Sequence, residues 1–404
     1  MGDFAVLAGL RRHLLPLLLV IGLIAGLTAV GAGLMDAFGA GLGTSRAADN
    51  GSGPTSAGTG QQAGTGQSSA AQAVACHHVR GPFHVNGTKV YGSTGRYIPY
   101  GISLTGLAHP GWASRVAQDE AGIAAAADDW CANTIRLQIR QANLVSTSDH
   151  IDKPFLDAVI TEVRYAEKRG LIVVLNLQWQ QDPDALQASM PTDRSKAFWD
   201  SLAFHFGKDP NVIFDIFNEP AQRAPCGWAF WHSGGWCRGV RYYGIQELAD
   251  FVRKRASNLF WVEGISAGSL LNQAWKYHIT GDGPLEYSEH RPPGKHQYRV
   301  WDHIFGYIST SGHAPVIEGE WADYARPAAP WACWNDAPES APRFLRYLQA
   351  RGFGLIITEL VKDQLLESEN LDDPTHFRKN WSCTRNLDQG AGHQAQQWFI
   401  RQNS

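Results

Sequence analysis

The most restrictive feature of the sequence is an alternation of short apolar segments with helical stretches, which runs from residue 97 almost to the C-terminus. The apolar segments are rich in β-branched and aromatic residues, as is typical of strands buried on both faces. Strands separated by helices predict an α/β fold with a parallel sheet, and eight such strands fit one (β/α)8 TIM barrel. The candidate strands are Tyr97–Leu104, Thr134–Ile139, Leu171–Leu177, Val212–Phe217, Leu259–Glu263, Leu285–Ser288, Pro315–Ile317 and Phe353–Ile357, and the candidate helices are Asp119–Trp130, Lys153–Arg169, Ser195–Phe206, Gly239–Arg255, Tyr298–Ser309, Pro342–Arg351 and Gln389–Arg401.

The first 75 residues have a different composition, which predicts export. Residues 1–13 end in a basic cluster, and residues 14–35 form an uncharged apolar run that is about long enough to cross a bilayer. The basic flank predicts that the N-terminus stays inside and that the bulk of the chain lies outside the cytoplasm. The length of the run favours a transmembrane anchor over a cleaved signal segment, and both remain open. Residues 36–75, which are mostly small and polar, predict a flexible linker.

The globular domain is predicted to span residues 76–404 and to begin with a β-hairpin. Asn86-Gly87 lies between two alternating segments, which is a strong short-range hairpin signal. The six cysteines all lie beyond the apolar run, and an even number in an exported chain predicts disulfides. Cys226 and Cys237 bracket one loop and are the first candidate pair.

Composition excludes one class of partner and implies no cofactor. A net charge of −3 and a pI near 6.6 give no electrostatic footprint for nucleic acid. The cysteines show no CxxC spacing, so the sequence predicts no metal site.

Two candidate strands end in a glutamate. The run Asn211–Pro220 must stop at Pro220, which cannot continue a central strand, so Glu219 lies at the C-terminal end of that strand. The run Ala314–Trp321 delivers Glu320 in the same way. TIM barrels carry their active sites at this end of the sheet, so the two carboxyl groups are expected to face each other. Such a pair, about 5–5.5 Å apart, is what retaining glycoside hydrolysis requires.

Two other acidic residues compete for these roles. Glu318 precedes Glu320 by two residues, and the two-residue period of a strand predicts that both lie on one face. We expect Glu318 to lie deeper, in a polar layer inside the barrel. Asp215 has the inward parity of Glu219 and is expected to be structural.

The chain beyond Cys76 resembles glycoside hydrolase family 5, the cellulase-type retaining enzymes. The resemblance is carried by Arg136 in NTIRLQ, Asn218-Glu219 before proline, His290 in YSEHRPPG and Glu320 in IEGEW. It implies that Glu219 is the acid/base and that Glu320 is the nucleophile that forms a covalent glycosyl-enzyme. It also implies that Arg136 pairs with Glu320 and that Asn218 binds the sugar 2-hydroxyl. His290 is expected to contact the substrate or a carboxylate.

Three positions depart from the family pattern. Gln178 stands where members usually carry a histidine, Arg291-Pro292 follows His290 where a His-x-Tyr is usual, and Thr358-Glu359 replaces a tryptophan at the end of the eighth strand. We therefore treat Gln178 as a candidate substrate-binding residue.

Tryptophans near the predicted mouth are candidates for the missing sugar-stacking surface. Trp179 and Trp321 are the first of these, with packing as the alternative role. The same two roles, sugar stacking or packing, are open for five further tryptophans: Trp228, Trp231, Trp236, Trp331 and Trp334.

The sequence thus predicts an extracytoplasmic retaining glycosidase, acting as a monomer without a cofactor on a β-linked glucan or related polysaccharide. One alternative is a transglycosylase, in which a second sugar replaces water. The other is a catalytically weak carbohydrate-binding protein of the cell envelope that kept the barrel.

Overall fold

The computed structural model describes residues 76–148, 150–180, 189–221, 227–290, 298–321, 337–358 and 391–404. The predicted basic segment 1–13, apolar segment 14–35 and linker 36–75 lie outside these residues. Within the described ranges, no helix combines the length and apolar character needed to cross a membrane.

The described strands and helices alternate along the chain. In chain order the strands are β1 (His84–Asn86), β2 (Lys89–Gly92), β3 (Gly95–Tyr97), β4 (Tyr100–Leu104), β5 (Thr134–Arg140), β6 (Ile172–Gln178), β7 (Val212–Asp215), β8 (Gly234–Cys237), β9 (Val240–Tyr243), β10 (Phe260–Glu263), β11 (Leu285–Glu289), β12 (Val316–Trp321) and β13 (Leu355–Thr358). The helices are α1 (Val116–Asp128), α2 (Gln141–Leu144), α3 (Lys153–Lys168), α4 (Asp193–Phe206), α5 (Gly227–Ser233), α6 (Ile245–Arg253), α7 (Tyr298–Trp301), α8 (Tyr307–Thr310), α9 (Ala337–Arg351) and α10 (Ala391–Asn403), with a π-helical turn at Asp302–Gly306 between α7 and α8.

Eight parallel strands close into one barrel, in the order β4-β5-β6-β7-β10-β11-β12-β13, with β13 paired to β4. Each of the eight candidate strands overlaps one of these strands, so the predicted TIM barrel is confirmed. Register shows which residues face inward, because residues paired across a sheet share a face. One inward-facing row of paired residues crosses the four strands from β4 to β7: Ser103, Arg136, Val174 and Ile213.

The barrel interior is filled by apolar side chains and closed at one end by the N-terminal hairpin. The predicted hairpin is confirmed, with Asn86 paired to Lys89 and Gly87 at a φ of 60°, a conformation that glycine adopts without strain. Strand β3 extends it to a three-stranded sheet. The inner cluster contains Phe83, Val90 and Tyr97 from this region together with Ile172, Val174, Ile213, Leu259, Trp261, Ile317 and Ile356 from the barrel. A larger outer cluster joins the strands to the surrounding helices.

The segment after β7 differs from the prediction. The candidate helix Gly239–Arg255 begins only at Ile245, because its first residues form strand β9, which pairs with β8. Arg238 and Gly239 adopt positive φ angles at the turn, and the aromatic and β-branched residues that follow suit a strand. A second irregularity lies between β10 and β11, where residues 264–284 form turns and bridges without a helix.

One disulfide joins Cys76 to Cys131, with the two Cα atoms 5.3 Å apart. It ties the start of the domain to the segment between α1 and β5. Cys237 is also disulfide-bonded, but Cys226 lies outside the described residues, so the predicted pair stays a prediction.

Glu286 on β11 places a buried carboxyl group in the inner core, near its closed end. Its Oε2 accepts a hydrogen bond from the indole of Trp261 at 2.9 Å. Burial raises the pKa of Glu286 to about 8, against the opposing effects of that hydrogen bond and of Arg96. The folded chain therefore holds this proton more tightly than the unfolded chain. Its stabilising contribution is complete below the ordinary value of 4.5 and is lost as the pH rises through about 8.

We expect the substitution Glu286→Gln to remove this pH dependence. The free energy of unfolding of the wild-type protein should fall across that window, with a slope of up to about 1.4 kcal/mol per pH unit from this group. The variant should lack that slope, as measured by urea unfolding at a series of pH values. Asp282→Asn, at an exposed carboxyl on the loop before β11, is the matched control. Equal slopes in Glu286→Gln and the wild-type protein would contradict the prediction.

Candidate active site

The position of Glu320 depends on a bulge in β12. Glu318 pairs with Leu355, and Trp321 pairs with Ile357. Between these two pairs β12 advances by three residues and β13 by only two, so β12 contains one extra residue. Ile317 belongs to the inner cluster, so Glu318 faces the outer side, as its partner Leu355 does. The extra residue then brings Glu320 back to the inner side, in keeping with the occurrence of bulges beside active sites.

This geometry corrects the expectation that Glu318 shares a face with Glu320. Glu318 is buried on the outer side of the barrel and is not part of an inner polar layer. Gly319 occupies the tight inner position between them, where a Cβ atom would lie 1.9 Å from Oγ of Ser288.

Glu219 lies in a turn just beyond β7. Its φ of 47° is in the left-handed region, which is uncommon for a residue with a side chain and costs free energy. The peptide that joins it to Asn218 is held from both sides. The indole of Trp179 donates to the Asn218 carbonyl, and the Glu219 N–H donates to Oε2 of Glu263 at 2.5 Å.

The two predicted catalytic carboxyl groups meet at the mouth of the barrel. Glu219, His290 and Glu320 each contribute one polar side-chain atom to a cluster in which these atoms lie within 4.8 Å of one another. The side chains of Glu219 and Glu320 are 21% and 16% exposed, so both are open to a ligand. This close approach of the two carboxyl oxygens fits a retaining pair, whose carboxyl groups are usually about 5–5.5 Å apart, better than an inverting pair, at roughly 6.5–9.5 Å.

Arg136, on the second barrel strand β5, is fully buried and organises the acidic groups. Its Nη1 lies 2.8 Å from Oε2 of Glu320, its Nε donates to Asp215 at 2.9 Å, and its Nη2 donates to Oδ1 of Asn218 at 2.7 Å. Burial alone lowers the pKa of Arg136, but the carboxylates of Asp215, Glu320 and Glu263 outweigh it and raise the pKa above its ordinary value. The guanidinium is therefore a permanent positive charge beneath the carboxylate pair.

His290 contacts three carboxylates. Its Nε2 lies 3.1 Å from Glu263, and its Nδ1 lies 3.6 Å from Glu320 and 3.8 Å from Glu219. Burial lowers the pKa of His290, but Glu263 and Glu320 oppose this and hold the pKa well above the usual value. These carboxylates therefore favour the protonated, positively charged imidazole.

Asp215 is inward-facing and buried, as its parity predicted. Burial and the charge of Glu263 raise the pKa of Asp215, while Arg136 and His290 act in the opposite direction. Two sets of side chains have polar atoms within 4.8 Å of one another. One set is Asp215, Glu263 and His290, and the other is Glu219, His290 and Glu320. Either set has the spacing of metal ligands, and the guanidinium of Arg136 is a cation beside carboxylates of both sets.

Amide side chains connect the remaining polar groups. Gln178 donates to Oε1 of Gln138 at 2.9 Å, and Gln138 donates to Oε2 of Glu320 at 3.3 Å. Gln180 donates to Oε2 of Glu219 at 3.1 Å. Gln178 is thus linked to Glu320 through Gln138 and lies in the site region.

Two predicted stacking residues have no free face. Trp179 is 2% exposed, and its ring lies parallel to that of Phe217. Trp321 is fully buried on the outer side of the barrel, where it packs against Phe344. A buried ring cannot stack on a sugar, so the expectation of sugar stacking is corrected to packing for both.

The loop tryptophans divide between packing and exposure. Trp228 and Trp231 are buried and contact each other edge to face, with ring centroids 5.1 Å apart, which favours the packing alternative. Trp236 is 73% exposed. Trp331 and Trp334 lie outside the described residues, as do Arg291-Pro292 and Glu359.

Sequence reasoning missed three polar residues of the site. Gln138 lies two residues beyond Arg136, so the two-residue period of a strand places it on the same face of β5 and could have identified it. Glu263 ends the candidate fifth strand, just as Glu219 follows the fourth, and was equally visible. Gln180 lies beyond its strand, where strand periodicity gives no indication of direction.

Comparison with known proteins agrees with this geometry. Residues 93–359 match the family described as cellulase (glycosyl hydrolase family 5). Endoglucanase N of Pectobacterium atrosepticum is 26% identical over 200 residues, which cover 48% of this chain and 39% of that protein. Endoglucanase 5 of Pectobacterium carotovorum subsp. carotovorum is 26% identical over 204 residues, covering 48% and 35%. The chain thus matches well under half the length of these relatives.

Solved structures share the fold at low sequence identity. A β-glucanase from Saccharophagus degradans in complex with cellotetraose has a TM-score of 0.59 at 19% identity, covering 81% of this chain and 95% of that one. An endocellulase from Pyrococcus horikoshii has a TM-score of 0.58 at 15% identity, covering 79% and 98%. Because the family match covers most of the chain, and the motifs that carry it meet at the barrel mouth, this protein belongs to the cellulase family, glycosyl hydrolase family 5.

Proposed function

We propose that this protein is a retaining glycoside hydrolase that cleaves a β-linked glucan or a related polysaccharide. The observation that carries the proposal is that one carboxyl oxygen of Glu219 and one of Glu320 lie within 4.8 Å of each other, with both side chains partly exposed. A retaining mechanism needs one carboxyl group on each side of the scissile bond at about this separation.

The contacts of Glu320 support the division of roles that the family motifs imply. Glu320, which is held by Arg136 and Gln138, attacks the anomeric carbon while Glu219 donates a proton to the departing glycosidic oxygen. The bond from sugar to leaving oxygen breaks as the bond to Glu320 forms. In the second step Glu219 takes a proton from water, which releases the sugar from Glu320 with its original configuration.

Asn218 is placed to serve the sugar. Its Oδ1 accepts a hydrogen bond from Arg136, which fixes the orientation of the amide, so its NH₂ group is the part that would donate to a sugar hydroxyl. A hydrogen bond to the sugar 2-hydroxyl strengthens in the transition state and so contributes to rate.

The substrate class is inferred from the relatives. Two of them are named endoglucanases, and a β-glucanase with the same fold binds cellotetraose. We extend a β-glucan substrate to this chain on that basis.

The decisive experiment is covalent trapping of the nucleophile. The full-length protein is incubated with an activated 2-deoxy-2-fluoro-β-glucoside or cellobioside, followed by intact mass and peptide mapping. A sugar adduct on Glu320 is expected. An adduct on Glu318 would keep the mechanism but overturn the assignment. Binding of oligosaccharide without any adduct, from several β-glycosyl donors, would favour a carbohydrate-binding protein. Product analysis with an added sugar acceptor separates hydrolysis from transglycosylation.

We further propose that the protein acts outside the cytoplasm, tethered or secreted through residues 14–35. The Cys76–Cys131 disulfide supports this, since disulfides persist mainly in oxidising compartments. Protease accessibility in intact cells, followed by membrane fractionation, tests the proposal. Protection of the barrel domain from added protease until the cells are lysed would contradict it.

A further inference from the structure

Glu263, the last residue of the fifth barrel strand β10, is a charged group that the mechanism above does not use. It is 1% exposed, and burial of a carboxylate is costly unless partners compensate. Its Oε1 lies 3.3 Å from Nη2 of Arg136 and 3.1 Å from Nε2 of His290. Its Oε2 accepts the backbone N–H of Glu219. One carboxylate thus contacts both cations of the site and the backbone of the acid/base.

The contact to the Glu219 backbone matters because that backbone is strained. The left-handed φ of Glu219 is unfavourable for a residue with a Cβ atom, so surrounding contacts must hold it. Trp179 holds the carbonyl of the Asn218–Glu219 peptide, and Glu263 holds its N–H. The orientation of this peptide determines where the Glu219 side chain points.

The loop after β10 is shaped around Glu263 and His290. Gly268, with a φ of 71°, approaches so closely that a Cβ atom there would lie 2.9 Å from Cγ of His290 and 3.1 Å from Oε2 of Glu263. The Gly268 carbonyl accepts the His290 N–H at 3.1 Å. The loop therefore fixes the histidine against the carboxylate.

We propose that Glu263 is a positioning residue for the acid/base: its carboxylate fixes the Asn218–Glu219 peptide and links it to His290 and Arg136. This role rests on the proposed glycosidase function. Without Glu263, the Glu219 carboxyl group would remain present but would no longer be held at the leaving oxygen. The loss should therefore fall on proton donation more than on nucleophilic attack.

The test compares two aryl β-glycosides that differ only in leaving group, measured with full-length wild-type protein and Glu263→Gln. A dinitrophenolate leaves with little protonation, whereas a weakly acidic phenol needs the acid. We expect kcat/KM to fall by about 100-fold for the poor leaving group, in the range of general acid catalysis, and by only a few-fold for dinitrophenol. Glu286→Gln, a buried barrel glutamate near the closed end, is the matched control and should stay within about twofold of wild type on both substrates.

A second readout does not depend on turnover. The loss of a carboxylate 3.1 Å from His290 should lower the pH at which its imidazole titrates, as followed by NMR. Glu263→Asp retains the charge but shortens the reach. It should leave the titration near its wild-type position while retaining the selective loss with the poor leaving group.

Two results would overturn the proposal. One is wild-type kcat/KM on both substrates in Glu263→Gln, and the other is an equal loss on both with an unchanged His290 titration. If wild-type protein neither hydrolyses the glycosides nor forms an adduct, the proposed function fails separately. In that case an unchanged His290 titration in Glu263→Gln would overturn the positioning role as well.

Discussion

Replacing Glu320 by Gln should lower kcat/KM on β-glucan by at least about 10⁴-fold, because the amide cannot form the covalent glycosyl-enzyme. The substitution retains the shape of the side chain. It also leaves Arg136 and Gln138 close to an oxygen atom, so the barrel should fold. Initial rates on a soluble β-glucan and on an activated aryl β-glucoside measure the effect.

Glu318→Gln is the matched control for this prediction. Glu318 is two residues away and also buried, but the β12 bulge places it on the outer side of the barrel. We expect kcat/KM for Glu318→Gln within about tenfold of wild type, reflecting packing alone. Added azide gives a further check, since a small anion can replace the missing nucleophile in Glu320→Ala and would yield an α-glycosyl azide. Activity lost in Glu318→Gln and retained in Glu320→Gln would reverse the assignment.

Replacing Arg136 by Met should destabilise the folded state by about 3–5 kcal/mol, because it removes the guanidinium that pairs with two buried carboxylates and leaves only His290 beside them. Asp215 and Glu263 are each 0% exposed at the side chain and lie 2.9 and 3.3 Å from the guanidinium. Activity should also fall, by roughly 10²–10³-fold, since Glu320 loses the charge that orients it. Urea unfolding and kcat/KM on the folded fraction measure the two effects.

Arg136→Lys separates charge from geometry. A lysine keeps one positive charge, but it cannot reach Asp215, Asn218 and Glu320 together, as the planar guanidinium does. We expect it to recover part of the stability and little of the activity. An Arg136→Met protein as stable as wild type would show that the carboxylates are compensated elsewhere.

The architecture could be predicted because its signals are local. Each barrel strand is an apolar β-rich run, and Asn86-Gly87 specifies the hairpin that closes the inner core. The error at Gly239–Arg255 arose where a hairpin and a helix follow each other within a few residues, so that one apolar pattern covered both. The (β/α)8 alternation predicts a helix after the fifth candidate strand, where the helical pattern is weakest, and residues 264–284 between β10 and β11 form none.

The site could be predicted only as far as strand ends and family motifs reach. Those motifs lead to Glu219, Glu320, Arg136, Asn218 and His290, and the structure brings these residues together. The two-residue period of a regular strand predicted that Glu318 shares the inner face with Glu320. This was wrong because the β12 bulge adds one residue, and no sequence signal marks the bulge. Trp179 and Trp321 were plausible stacking rings whose burial depends on distant partners, Phe217 and Phe344.

The disulfide that ties Cys76 to the segment before β5 has a practical consequence. Strand β5 enters the barrel at Thr134 and carries Arg136 and Gln138 onward to the mouth, so Cys131 lies at the opposite, closed end. Residue 76 therefore lies at the end of the barrel remote from Glu219 and Glu320. A domain immobilised on a bead or fused to a carrier through this residue should keep its mouth free for a long polymer.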